Sequence, residues 1–335
     1  MIKISTKMIM MITLVLSTLM VISSENWFST WMGLEINMMS FIPLMEKSKD
    51  YYSPESKMTY FLVQSMSSII FIFMIIMNPM ILINEEMSSN MYMTIITMSM
   101  LMKIGAAPMH MWFINIMAKM SWNNCILLMT WQKIAPIFIL SNTMNNNFII
   151  MTCSIISAMT GAIGGINQTS IKKMLAFSSV NHLGWMIICM KYDNEMWMKY
   201  LMFYSIIILM LTSILNKNSI IYINQMNMNM KTNMEKINMI MLMLSLGGLP
   251  PFIGFLPKWL VIQALINTNS IMVLLILMMS SMITLFYYLR MISPTIMTNN
   301  TLNKWNINNK NTKSNLVMTM IINMMLPVTT IINMI

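Results

Sequence analysis

The chain has 335 residues, of which 57% are hydrophobic and only 9% charged, with a net charge of +10 and a mean hydropathy of +0.67. A water-soluble domain carries about 25% charged residues, so this chain lacks the polar surface to coat one and is read as an all-α integral membrane protein. Membrane topology accounts for the positive charge, as shown below, and no nucleic-acid partner is implied.

Apolar runs bounded by turn signals predict eleven spans, at 4–22, 26–45, 56–78, 89–107, 122–141, 147–166, 171–190, 196–216, 236–264, 270–291 and 314–334. The first, "MIKISTKMIMMITLVLSTLM", has the basic start and apolar run of a signal peptide. No small-residue cleavage site follows, so it is read as a span. The second carries Glu35 in "WMGLEINMMSF". The fourth carries Lys103 and breaks at Gly105-Ala106-Ala107-Pro108. The stretch 108–121 is too short and interrupted to span, and is placed at an interface or as a broken continuation. The fifth carries Lys133 in "MTWQKIAPIF", and the seventh carries His182. The ninth holds Gly247-Gly248-Leu249-Pro250-Pro251 ahead of Lys258.

Charge tests this count. Eleven spans put the two ends on opposite sides. Of the twenty Lys and Arg, fifteen then fall on the N-terminal side, from Lys3 and Lys7 to Arg290, Lys304, Lys310 and Lys313. Only Lys191 and Lys199 fall on the other. The positive-inside rule makes the rich side the matrix or cytoplasm. The remaining three, Lys103, Lys133 and Lys258, lie inside spans, as does Glu35. A charge at the bilayer centre costs about 2.5–3.5 kcal/mol, so these four face a protein interior or a hydrated cavity.

A repeat runs through the spans, within one membrane domain over 1–335. The first five (1–141) and the next five (147–291) form two halves, followed by a loop and last helix over 292–335. The fourth span of each half has a Gly/Pro interruption beside a lysine. The second carries Glu35 in one half and His182 in the other. Five helices per half is an odd number, so the halves are inverted, and paired broken helices in an inverted repeat point to an ion site.

Other chemistries lack their residues. The 53 methionines are spread evenly without His or Cys partners, which suits apolar filler better than copper ligation. Cys125, Cys153 and Cys189 lie far apart in apolar segments with no CxxC pattern, so no metal site is expected. No dinucleotide-binding fingerprint and no iron–sulfur cysteine cluster occurs, so no redox centre is expected on this chain. The joint excess of Met, Ile and Asn points to AT-rich coding under a mitochondrial code.

The segments "WMGLEIN", "KIGAAPMHMWF", "WQKIAP", "GAIGGINQTSIKKMLAFSSVNHLGWM" and "SLGGLPPFIGFLPKWLVIQ" closely resemble the subunit 2 family of mitochondrial NADH dehydrogenase, insect type. That family consists of antiporter-like, Mrp-related proton-pumping subunits of respiratory complex I. The match runs through about 25–290 and weakens in the last 45 residues. The resemblance implies eleven helices, the fourteen of the bacterial form less three at the N-terminus. It also implies a mitochondrial inner-membrane location, with the N-terminus in the matrix and the C-terminus in the intermembrane space. Glu35, Lys103, Lys133 and Lys258, with His182, would form a water-bridged proton relay. NADH, FMN, iron–sulfur clusters and ubiquinone would sit on partner subunits. The partners implied are the other membrane-arm subunits, accessory subunits and lipid including cardiolipin.

Burial supplies the chemistry, because a low-dielectric interior disfavours the charged form of a lysine and readies it to pass its proton on. Two other functions compete with this one: a stand-alone cation/proton antiporter, and a scaffold whose charges only lock assembly. In the scaffold reading Glu35 and Lys103 form a static pair, His182 is a satisfied core histidine, and Lys258 snorkels to the interface.

Overall fold

The computed structural model describes residues 4–45, 53–81, 87–143, 147–192, 194–226, 233–297 and 313–327. Its helices in chain order are α1 (Ile4–Ser23), α2 (Trp27–Leu44), α3 (Ser53–Ile81), α4 (Met87–Ile104), α5 (Met111–Lys119), α6 (Trp122–Met129) and α7 (Trp131–Asn142). They continue as α8 (Asn147–Gly165), α9 (Ile171–Met190), α10 (Met196–Lys217), α11 (Asn233–Gly247), α12 (Phe255–Asn267), α13 (Ile271–Met297) and α14 (Lys313–Asn323). Among the described residues there is no strand beyond an isolated bridge between Ser170 and Tyr222. The end of the eleventh predicted span, 328–334, lies outside the described residues. So do Lys3, Lys47, Lys49, Lys231, Lys304 and Lys310.

Among the described residues, six helical segments are long and apolar enough to cross a membrane: Ser5–Ser23, Pro54–Met77, Trp122–Asn142, Phe148–Gly165, Met196–Lys217 and Ile271–Met297. They turn large apolar side chains such as Met8, Leu62, Phe148 and Met279 outward, as a lipid solvent requires. Hydroxyls within them bond to the carbonyl three or four residues back, as Ser17 does to Leu14 at 2.8 Å and Thr212 to Ile208 at 2.6 Å. Each such hydroxyl is thereby satisfied within its own helix. The helices outside these six include α2, α4, α9, α11 and α12, and four of those five carry Glu35, Lys103, His182 or Lys258. Polar residues and helix breaks lower the apolar signal at the positions where they gather.

The chain forms two compact units, Met1–Ile156 and Ser157–Ile335. In the first, α2 packs between α1 and α3, and α3 packs on α4 and α5. The α7 helix packs on α1, α4 and α6. The predicted span 122–141 is interrupted here at Thr130, where α6 ends and α7 begins. Pro136 lies inside α7 and has no amide to donate to the carbonyl of Gln132, which loosens the ladder just before that point. The stretch after Pro108 forms α5, which buries Phe113, Ile114, Ile116 and Met117.

In the second unit α9 is buried on every face, with Lys173 the sole residue of its twenty not buried. The helices α10, α12 and α13 surround it. On a further side α8 approaches so closely that a Cβ at Gly161 would lie 2.5 Å from the backbone nitrogen of Asn181. The α11 helix packs on α10, α12, α13 and α14.

Candidate functional site

Both lysine-bearing interruptions are built on the same cap. Gly105 follows α4 with φ +76°. Its amide bonds to Met102 O at 3.2 Å and that of Ala106 to Leu101 O at 3.1 Å. Gly248 follows α11 with φ +81°, its amide reaching Ser245 O at 2.9 Å and that of Leu249 reaching Leu244 O at 3.3 Å. A left-handed glycine with this bond pair is the Schellman termination, and glycine fits because it has no Cβ to clash. The prolines that follow keep the helix from resuming at once. Each cap leaves last-turn carbonyls that need donors from elsewhere.

In the first unit those donors come from α3 and α5. Gln64 Nε2 donates to Lys103 O and Trp112 Nε1 to Met102 O, both at 3.1 Å. Beside them lies a cavity lined by Asn37, Tyr60, Gln64, Lys103, Phe113, Gln132 and Lys133, among others. Lys103 is 6% exposed and Lys133 1%, yet both reach this one space. Water centres have about 20 Å³ of room in it, and roughly 10–15 Å³ suffices for one water. Its walls are joined by neutral hydrogen bonds: Tyr60 Oη donates to Gln132 Oε1 at 3.3 Å, and Gln132 Nε2 to Asn37 Oδ1 at 2.9 Å. The ammonium of Lys133 lies 5.4 Å from the centre of the Phe113 ring, within cation–π range. Glu35 does not line the cavity. It is half-buried on α2 and close enough for its charge to act on Lys103, but makes no ion pair with it among the described residues.

In the second unit a lysine itself caps the interrupted helix. Lys258 is 4% exposed. Its Nζ donates to Gly247 O at 2.8 Å and to Leu246 O at 3.4 Å, and stands 6.0 Å from the Trp185 ring. Lys258 therefore turns inward to the end of α11 rather than outward to an interface. His182, one turn before Trp185 on α9, shares a 2.8 Å hydrogen bond between Nδ1 and Tyr200 Oη. Its ring packs 5.0 Å from that of Tyr204. Asn181 Oδ1 accepts from Ser280 at 3.2 Å, and the buried Tyr287 and Tyr288 rings meet at 4.8 Å.

Of the five residues singled out by sequence, the structure thus brings Lys103 and Lys133 to one cavity, with Glu35 acting on it from α2. It seats Lys258 and His182 within the second unit. Sequence reasoning tracked only titratable groups and missed Asn37, Tyr60, Gln64 and Gln132. An amide inside an otherwise apolar span was the signal available for three of them.

The chain matches the family model described as NADH:quinone oxidoreductase/Mrp antiporter, TM, over residues 24–284. It is 44% identical over 317 residues to NADH-ubiquinone oxidoreductase chain 2 of Anopheles gambiae, covering 92% of each chain. It is 43% identical over 318 residues to the protein of the same name from Aedes aegypti, covering 94% of this chain and 93% of that one. Among solved structures, a chain of respiratory complex I from Thermus thermophilus with bound aureothin superposes with a TM-score of 0.80 at 18% identity. That match covers 88% of this chain and 71% of the other, and it speaks to the fold.

Proposed function

The chain belongs to the NADH:quinone oxidoreductase/Mrp antiporter transmembrane family, and from that premise we propose that it is a core membrane subunit of respiratory complex I. In this reading it moves protons across the mitochondrial inner membrane, coupled to NADH:ubiquinone electron transfer. NADH, FMN, iron–sulfur clusters and ubiquinone are held by partner subunits. Accessory subunits and cardiolipin-containing lipid cover the remaining surface. The observation that carries the reading is the cavity in which Lys103 and Lys133 meet, with room for water and a lining of neutral amides. An ammonium can hand a proton to a water and receive another, whereas amides hold the water in line without titrating.

The relay we assign is Glu35, Lys103 and Lys133 in the first unit, and His182 and Lys258 in the second. Glu35 biases Lys103 by its charge, so a change at Glu35 alters how firmly Lys103 keeps its proton. The paired caps at Gly105 and Gly248 support an inverted repeat of five spans. In it α4 with α5, and α11 with α12, are the discontinuous members of an eleven-span domain. The basic-residue count supports a matrix-facing N-terminal end of α1.

The test is Lys133→Met in the assembled complex, which keeps apolar volume and removes the titratable amine. Sealed vesicles should show normal amounts of complex, with proton translocation and coupled NADH oxidation both falling at least several-fold. Lys133→Arg should fare little better, since guanidinium does not release its proton. A Lys133→Met complex that pumps at the wild-type ratio and rate would make the buried lysine structural.

A further inference from the structure

We infer that the second unit carries its own hydrated path, held by Asn238 and Asn323 between α11 and α14, that joins Lys258 to the Glu235 end of α11. The inference rests on the reading of Lys258 as a proton carrier.

Two asparagines lie in this helix contact with almost no exposed surface: Asn238 at 0% and Asn323 at 1%. Asn238 Nδ2 donates to Leu316 O and to Thr319 Oγ1 of α14. Its Oδ1 has no hydrogen-bond partner in the protein, and neither amide atom of Asn323 has one. Roughly 90% or more of buried polar groups are partnered by protein or ordered water. Leucine would fill the same volume without this cost. Three unpartnered amide atoms in one helix contact therefore mark a place built to hold water.

Their placement makes a line. Glu235, Asn238 and Ser245 share one face of α11, spaced three and seven residues apart. At one end Glu235 is buried and pairs with the half-exposed Lys217 at 2.8 Å, which opens the line to the aqueous side. At the other end Asn323 O accepts the Ile253 amide at 3.1 Å. That sets Asn323 beside the turn whose first carbonyls are held by Lys258. Thr319 and Asn323 are four residues apart on α14, about 6 Å along its axis. Two hydrogen bonds through a single water span roughly the same distance. By the basic-residue count the Glu235 end faces the matrix, so the path supplies Lys258 from that side. Each water accepts one proton and gives one, the Lys258 amine becomes an ammonium, and nothing is oxidised or reduced.

The experiment uses the assembled complex in sealed vesicles, reading the proton gradient per NADH oxidised and the amount of complex. Asn238→Leu, Asn323→Leu and the double variant are compared with Asn323→Ser, which keeps a polar group and room for water, and with Lys258→Met. The expected result is several-fold slower pumping for the double Leu variant at near-normal assembly, and substantial recovery with Asn323→Ser. Thr319→Val, which preserves shape and removes one hydroxyl, should slow pumping in the same direction even if the double variant assembles poorly. Three outcomes would overturn the path. If Lys258→Met loses pumping while the double Leu and Thr319→Val variants keep it, the path is wrong and the relay stands. If the Leu variants lose complex but pump normally per remaining complex, the amides are packing groups only. If Lys258→Met itself pumps normally, the carrier reading falls and the path falls with it.

Discussion

Gly248→Ala should disable Lys258 without touching it. The backbone at Gly248 has φ +81°, and an L-residue held there loses about 1–2 kcal/mol. The added methyl would also stand 2.7 Å from Lys258 Cδ and 2.9 Å from its Nζ. The flexible lysine is the partner able to yield. Moving it gives up the bond to Gly247 O at 2.8 Å along with the longer contact to Leu246 O at 3.4 Å, and the short bond alone, from a charged donor, contributes about 1.5–3 kcal/mol. The two terms together cost roughly 2.5–5 kcal/mol, enough to lower the thermal stability of the subunit and to empty the lysine's position. Gly247→Ala is the matched control. Its Cβ would meet Leu285 at 3.5 Å, an ordinary contact, and the position is helical. In sealed vesicles Gly248→Ala complex should pump as poorly as Lys258→Met, while Gly247→Ala stays near wild type. Equal pumping by the two alanine variants would refute the argument that Lys258 works from its seat on the end of α11.

Three further outcomes follow from the geometry. Gln132→Leu leaves Asn37 Oδ1 and the Tyr60 hydroxyl without the bonds of 2.9 and 3.3 Å that they now share with it. At about 1–3 kcal/mol for a stranded buried group, the cavity wall should loosen and pumping fall with Lys103 and Lys133 still present, as read by gradient per NADH. Arg290→Lys should lower the thermal midpoint of the assembled complex. The single arginine of the chain uses two nitrogens to hold Ile166 O and Gln168 O at the end of α8, and a lysine ammonium cannot reproduce that fork. The loss should be on the order of 1–2 kcal/mol at this half-buried site. For topology, cysteines placed at the exposed Thr169 and Thr268 should take an impermeant thiol label from opposite faces of the membrane. Labelling of both from one face would rule out eleven spans.

Much of the site was legible in the sequence because desolvation is a local property. A lysine flanked by "TWQ" and "IAPIF", or a glutamate within "WMGLEIN", needs a polar interior whatever its partners are. Gly-Ala-Ala-Pro and Gly-Gly-Leu-Pro-Pro likewise announce helix ends, since φ preference and a missing amide belong to the residue itself. What a neutral side chain binds is another matter. Gln132 meets Asn37 across 95 residues of chain and Tyr60 across 72, and an amide in an apolar span shows that a partner is needed without showing which helix supplies it. The sequence could not place Lys258 either. From α12 it turns back eleven residues to Gly247 O, and burial against carbonyls looks the same on paper as snorkelling to an interface. The asparagines of α11 and α14 read as ordinary polar residues in separate spans until helix packing buries them together. Composition, charge and turn chemistry thus determined which residues must be hidden from lipid. The tertiary structure alone decided which of them share a cavity, because hydrogen-bond partners and water-sized space are made between helices and not along them.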